Sequence, residues 1–571
     1  MFGNKENINI LTALLIAHGV KDVVVCPGSR NAPIVHNMNE CGEVKCHPVT
    51  DERSAGFYAM GLSQATGHPV VVCVTSGTAL LNLAPAVAEA YFQHVPVVVV
   101  SADRPSAWIG QLDGQTLQQP GAFGCFVRKT VNLPEPQDDT ERWYCNRLVN
   151  EAMIAAGYGG GGPVHINVPI SEPLFVFDRP ELPNERVISF HKPDYYPGYG
   201  VLAQLNAAVS NSTRPMVVIG KTVLADAGVR KVFSDVAERI TVIGEPLNGL
   251  CSPVLFDETI RRVGNNPEYM PDLVIYIGDT IVSKCARKFL REAKADTWML
   301  TVDGSCMPDP LMSLTHMVEC HNLGVMADIL SIASKAMDCT ADEDNDNLVD
   351  IVTDRSRFRE LWSDALAHAA ECAAGYVPRY SQMAAVKYLE EQLEDIDRDV
   401  YVHYANSSAV RLANIYASHY VYCNRGVNGI EGSLSTAAGF SVAVAGFVVC
   451  VIGDLSFFYD QNALWNSNIG GNLRIILLNN HGGGIFHRLV GLDSSPVAGN
   501  FIAASHGTDA RGICTQNDIG YMKADDMDEM RIGIVTLLTR ETGRPMLLEV
   551  FTDSDDDKKA LDGYYSCFME E

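Results

Sequence analysis

Positive charge is scarce in this chain of 571 residues: 43 Lys and Arg stand against 69 Asp and Glu, a formal net charge of −26. Such an acidic surface repels phosphodiester backbones and anionic lipid headgroups, which argues against nucleic acid as a partner. Paired cysteines are lacking too. The 16 cysteines are scattered singly with no C-x-x-C, which disfavours a zinc site or a disulfide framework and marks them as small apolar core residues of a reducing compartment. The opening MFGNKENINILTALLIAHGV has neither a basic n-region nor a cleavage site, and reads as a mature cytoplasmic N-terminus. Charge is absent from residues 70–88 and 432–453, but Gly and turn residues interrupt both runs and no positive-inside bias flanks them, so no membrane span is expected.

What is present is a large apolar fraction. With 47% hydrophobic and 20% charged residues the chain is not disordered, and its length suits about three or four domains of ~150 residues. Short, unalternated apolar runs recur at 22–26, 70–75, 96–101 and 164–168, then at 215–220, 239–244, 272–278 and 297–302. A third set falls at 400–404, 447–452, 473–478 and 546–550, and helical periods separate the runs. Strands covered on both faces and joined by helices make parallel sheets, so the fold class is α/β with three doubly wound domains. The Pro- and Tyr-rich stretch 182–200 and the acidic run 340–346 are the natural boundaries, giving domains 1–182, 200–338 and 350–571.

Three familiar patterns fail on context. Gly157-Tyr-Gly159-Gly-Gly-Gly162 follows a helix and precedes a strand, the reverse of a dinucleotide fingerprint. Gly220-Lys221-Thr222 lacks the first glycine of a phosphate loop, where Pro215 stands. His481-Gly-Gly-Gly484 resembles an oxyanion loop, yet the chain has no G-x-S-x-G nucleophile.

The informative residues lie after strands, where ligands of open α/β sheets bind. Pro27-Gly28-Ser29-Arg30 offers a fork for a carboxylate, although an ordinary ion pair would use the same Arg. Thr50-Asp51-Glu52-Arg53 opens a helix, where an acid serves the helix dipole as readily as chemistry. More specific are Gly453-Asp454-Leu455-Ser456 and Asn479-Asn480-His481-Gly482, one strand-helix-strand unit apart. A carboxylate, an amide and glycine carbonyls are hard oxygen donors suited to Mg2+, or to Mn2+, and the helix starts beside them can receive a diphosphate.

The spacing of those two loops resembles the metal-diphosphate motif of thiamin-diphosphate enzymes, with Leu455 where many members have Gly. Together with Cys26-Pro-Gly-Ser-Arg-Asn-Ala-Pro33, Thr75-Ser-Gly-Thr-Ala79, Ser101-Ala-Asp-Arg-Pro105, Gly162-Pro-Val-His-Ile-Asn-Val-Pro169 and Asn424-Arg-Gly426, it resembles one menaquinone-pathway family, the 2-succinyl-5-enolpyruvyl-6-hydroxy-3-cyclohexene-1-carboxylate (SEPHCHC) synthases. The resemblance implies decarboxylation of 2-oxoglutarate and addition of the succinyl unit to isochorismate, with thiamin diphosphate and Mg2+. It implies that Glu52 holds the aminopyrimidine, that Ile430 bends the cofactor, and that Gly453, Asp454, Ser456, Asn480 and Gly482 hold the metal and diphosphate. Ser407, Arg411 and Arg425 would take the 2-oxoglutarate part, with Ser407 and Arg411 sharing a face of one expected helix. Arg30, Gln115 and Lys284 would face isochorismate, flanked by Phe486 and Leu489.

Cys285 and Gly114 depart from the family pattern, standing where some relatives have Arg and Asn. The cofactor would lie between the first domain of one subunit and the last of another, in a homodimer or homotetramer. The competing readings are another 2-oxo acid decarboxylase or ligase using the same cofactor, and a scaffold that binds without turnover.

Overall fold

The protein is described by a computed structural model covering residues 1–192, 196–222, 226–249, 255–337, 346–488, 491–492 and 494–569. Among the described residues, three parallel sheets account for all the strands. The first comprises β1 (Asp22–Val25), β2 (Lys45–Pro48), β3 (Val70–Val74), β4 (Val97–Asp103), β5 (Lys129–Asn132) and β6 (Val164–Pro169), in the order β2-β1-β3-β4-β6-β5. The second comprises β7 (Pro215–Ile219), β8 (Thr241–Gly244), β9 (Leu273–Ile277), β10 (Asp296–Thr301) and β11 (Leu314–Glu319), ordered β11-β10-β9-β7-β8. The third holds β12 (Val400–Tyr404), β13 (Val421–Tyr422), β14 (Phe447–Gly453), β15 (Leu473–Asn479), β16 (Gly520–Ala524) and β17 (Met546–Phe551), ordered β13-β12-β14-β15-β17-β16.

The central strands β3, β4, β9 and β15 are buried along their whole length, as continuous Val, Ile and Leu runs require when helices cover both faces. This is the α/β class with three sheet domains that the sequence pattern implies. The acidic run 340–346 lies, except for Asp346, outside the described residues.

The first and third sheets have the same layout. In each, the second strand lies outside the first and the third strand lies on its other side, so the order reverses between the first and third strands. Loops diverge at that reversal and leave a crevice at the strand C-terminal ends. The helices that follow the second strand in each domain, Glu52–Thr66 and Ser433–Ala443, pack against one another. Glycines set their separation. A Cβ at Gly61 would lie 2.0 Å from the Thr436 carbonyl oxygen, and one at Gly439 would lie 2.1 Å from that of Tyr58.

Candidate active site

At the third-sheet crevice, β14 ends at Gly453 and Asp454 opens the short helix Asp454–Tyr459. The Asp454 carboxylate is buried and takes the Leu455 N–H at 2.7 Å and the Gly482 N–H at 2.9 Å, one on each oxygen. His506 Nε2 lies 3.3 Å from Oδ2. Burial pushes this carboxyl above its ordinary range, and the two N–H donors and the imidazole pull against that push. Parallel pairing of β14 with β15 sets Gly453 beside Leu478, so the residues just beyond both strands share one level.

Asn480 donates its amide to Asp557 at 2.9 Å, and Asp557 also accepts the Thr552 hydroxyl. With the nitrogen so committed, the amide oxygen is the end that can meet a cation. The Gly482 N–H ties that residue to Asp454, and Asn480 precedes it by two positions, so a carboxylate, an amide and a glycine carbonyl lie on two adjoining loops. No group of three or more His, Cys, Asp or Glu able to hold a metal exists among the described residues. Hard oxygen donors of this kind suit Mg2+, which keeps several positions for water and phosphate oxygens. Room is present too: a Cβ at Gly453 would meet nothing within 4 Å. Ser456 is buried within the same short helix. The residues present therefore fit a metal-bound diphosphate.

At the first-sheet crevice, Glu52 is the first residue of its helix, behind an Asp51 cap that accepts the Arg53 and Ser54 N–H groups. Glu52 accepts the Asn82 amide at 3.1 Å. It lies close enough to Cys26, at the end of β1, to help burial raise that thiol well above its usual value. Its neighbours are tied to the last domain: Arg53 donates to the Tyr459 carbonyl at 2.7 Å, and Asn462 donates to Asp51 at 2.6 Å.

Arg30 is buried, donating to the Ile170 carbonyl at 3.0 Å and pairing with Glu172 at 3.0 Å. Of the two uses the sequence leaves open for this Arg, the ion pair is made within the chain, with a Glu172 side chain that is 67% exposed. Gln115 has φ of +58°, and its backbone lies against Gly77, where a Cβ would sit 3.2 Å away. Gly77 in turn donates its N–H to buried Gln119 at 2.8 Å.

Lys284, Arg411, Asn480 and Phe486 line one cavity of about 430 Å3 between the middle and last domains. Lys284 begins the helix Lys284–Ala293, capped by Ser283. The Val282 and Ser283 N–H groups both donate to the buried Glu245 carboxylate, at 2.6 and 2.8 Å, which fixes the start of that helix. Ser407 departs from expectation. It stands before the helix Ser408–Tyr416 with φ of +77°, so it does not share a helical face with Arg411; its carbonyl instead accepts from Arg411 Nη1 at 2.8 Å. Positive φ costs a non-glycine residue strain and marks a constrained turn.

Arg425 donates to Asn406 at 3.1 Å, while its buried Nε has no hydrogen-bond partner among the described residues. Ile430 is 39% exposed. Leu489 lies outside the described residues. Neither Glu52, Arg30 nor Gln115 lines the cavity that holds Lys284 and Arg411. Cys285 lines it, and Gly114 has open space around it. Sequence reasoning missed His506, Asp557 and Glu245, none of which belongs to a motif; only Glu245, directly after β8, and Asp557, shortly after β17, stand where strand position could have drawn attention to them.

Comparison with known proteins adds to this geometry. Residues 8–122 match the thiamine pyrophosphate enzyme N-terminal TPP binding domain. The chain is 41% identical over 584 residues to the 2-succinyl-5-enolpyruvyl-6-hydroxy-3-cyclohexene-1-carboxylate synthase of Bacteroides thetaiotaomicron, covering 99% of each protein. It is 32% identical to the synthase of the same name from Porphyromonas gingivalis, covering 99% of this chain and 97% of the relative. The Desulfotalea psychrophila synthase is 33% identical, with 96% of this chain and 98% of the relative covered. Matched at this identity along nearly its whole length, the chain belongs to the 2-succinyl-5-enolpyruvyl-6-hydroxy-3-cyclohexene-1-carboxylate synthase family.

Proposed function

We propose that the chain is a thiamin-diphosphate- and Mg2+-dependent transferase of menaquinone biosynthesis, acting in the cytoplasm. It decarboxylates 2-oxoglutarate and joins the succinyl unit to isochorismate, releasing CO2 and SEPHCHC. The observation that carries the proposal is the pairing of two features. Asp454 accepts the Gly482 N–H where the loops after two neighbouring strands meet, and Asn480 of the same loop lines a cavity whose wall includes Lys284, Arg411 and Phe486.

Thiamin diphosphate, when bound, supplies an acidic carbon that becomes a nucleophile and then an electron sink for loss of CO2. Asp454, Asn480 and the Gly482 carbonyl would hold Mg2+, or Mn2+ in its place, while Gly453 and Ser456 would receive the diphosphate. Glu52 would hold the aminopyrimidine ring and share a proton with it, and Ile430 would pack beneath the cofactor. Ser407, Arg411 and Arg425 would bind the carboxylates of 2-oxoglutarate. Arg30, Gln115 and Lys284 would bind those of isochorismate, with Phe486 and Leu489 excluding water around its ring. Arg suits both acids because its planar fork meets a carboxylate with two parallel hydrogen bonds. A homodimer or homotetramer would complete each site, pairing Glu52 of one copy with Asp454 of another.

The test is product analysis by mass spectrometry with thiamin diphosphate, Mg2+, 2-oxoglutarate and isochorismate supplied. SEPHCHC should form with equimolar CO2, and decarboxylation should be faster when isochorismate is present. Preference for pyruvate over 2-oxoglutarate would instead assign the chain to another 2-oxo acid chemistry.

A further inference from the structure

The short helix Ala84–Phe92 of the first domain contains a buried acid, Glu89, 3% exposed. Its two carboxylate oxygens accept two consecutive backbone N–H groups of the last domain, from Gly426 and Val427, each at 2.6 Å. The approach is close enough to require glycine. A Cβ at 426 would lie 2.8 Å from the Glu89 carbonyl oxygen and 3.0 Å from the Phe92 Cβ. Gln93 donates to the Glu89 carboxylate and accepts from Lys221, a buried ammonium of the middle domain. The carboxylate thus joins the first and last domains directly and the middle domain through Gln93.

The segment so held runs from Asn424 to Ile430. Its other side is tied to Asn406, whose amide donates to the Asn424 carbonyl at 2.6 Å and the Gly429 carbonyl at 2.7 Å. Asn406 also accepts from Arg425. Arg425 is thus clamped between a carboxylate gripping the two residues after it and an amide gripping its own guanidinium. Burying a carboxylate costs several kcal/mol before compensation, and an apolar side chain would serve packing alone at least as well. The charge at 89 faces the two N–H groups beside Arg425, the Gln93 amide and, through Gln93, the Lys221 ammonium.

We propose that Glu89 is a positioning residue: its grip on the Gly426 and Val427 N–H groups sets the direction in which Arg425 presents its guanidinium to the carboxylate of the 2-oxo acid. This rests on the assignment of Arg425 to that substrate, so the test includes a measurement that needs no substrate.

In Glu89→Gln only one side-chain oxygen remains as an acceptor, and an amide N–H faces the other backbone N–H. Gly426→Ala keeps the carboxylate and crowds its seat. In the holoenzyme, both variants should raise KM for 2-oxoglutarate by about tenfold or more, the worth of a hydrogen bond to a charged group. KM for isochorismate and kcat should each move less than about threefold. Amide hydrogen exchange at 426 and 427 should quicken in Glu89→Gln while thermal unfolding stays near that of the parent. If Glu89→Gln fails to fold, Gly426→Ala reads the same split of constants. Unchanged exchange at 426 and 427 overturns the inference, as does a rise in both KM values by one common factor. Should the enzyme turn over a different 2-oxo acid, the functional reading fails, and the exchange result still decides the role of Glu89.

Discussion

Glu258 shows what burial does to a single carboxyl. It lines the cavity between the middle and last domains, is 3% exposed, and accepts the Tyr564 hydroxyl at 3.1 Å. Burial first, and the charge of Asp257 second, push it from an ordinary 4.5 up to about 7. Because the folded value lies above the unfolded one, the native state keeps its proton between those limits, and stability falls as pH rises through that window. Above pH 7 the full cost is on the order of 3 kcal/mol. Glu258→Gln should therefore raise the melting temperature more at pH 8 than at pH 5, measured by differential scanning calorimetry. An equal shift at both values would refute this account.

At this scale, Asp454 and Asn480 are legible in the sequence because each follows a continuous apolar strand by one or two positions. Ser407 is legible by position but not by conformation. Its positive φ comes from the turn that joins β12 to the next helix, and no periodicity reports a turn.

At the scale of elements, the crossing of Glu52–Thr66 with Ser433–Ala443 is set by the absence of side chains. Gly61→Ala would drive a methyl to within 2.0 Å of a backbone carbonyl oxygen, so the helices must separate. Stability should fall by about 1–3 kcal/mol, as for other overpacked sites, read as a lower urea midpoint with an unchanged slope. An unchanged midpoint would mean that the two helices part freely.

The strands themselves divide by place. Five are invisible as apolar runs: β2, β5, β11, β13 and β16. Every one stands at a sheet edge. These edge strands have a neighbour on one side only, are short or carry polar residues such as Lys45, Lys129 and Lys523, and so lack the signal that two covered faces impress on a central strand; β8, the remaining edge, is legible through its Val242-Ile243 pair.

At the scale of the whole molecule, the proposal of a site shared between copies can be tested by mixing. Glu52→Gln and Asp454→Ala chains should each be inactive alone. Co-refolded or co-expressed, they should regain about a quarter of parental activity. Half the dimers are then mixed, and each mixed dimer pairs one intact acid with one intact metal site. Failure to regain activity in verified mixed dimers would show that one chain supplies both groups to its own site. Among the described residues, no helix is long and apolar enough to cross a membrane.

The matching strand orders of the first and last sheets, with their corresponding helices in contact, give one polypeptide two like lobes with unlike mouths. One mouth carries the acid and the other the oxygen donors. In the shared site proposed above, covalent linkage fixes the stoichiometry of the two halves at parity, so no imbalance of synthesis can leave a surplus of either, and every added copy brings as many keys as locks.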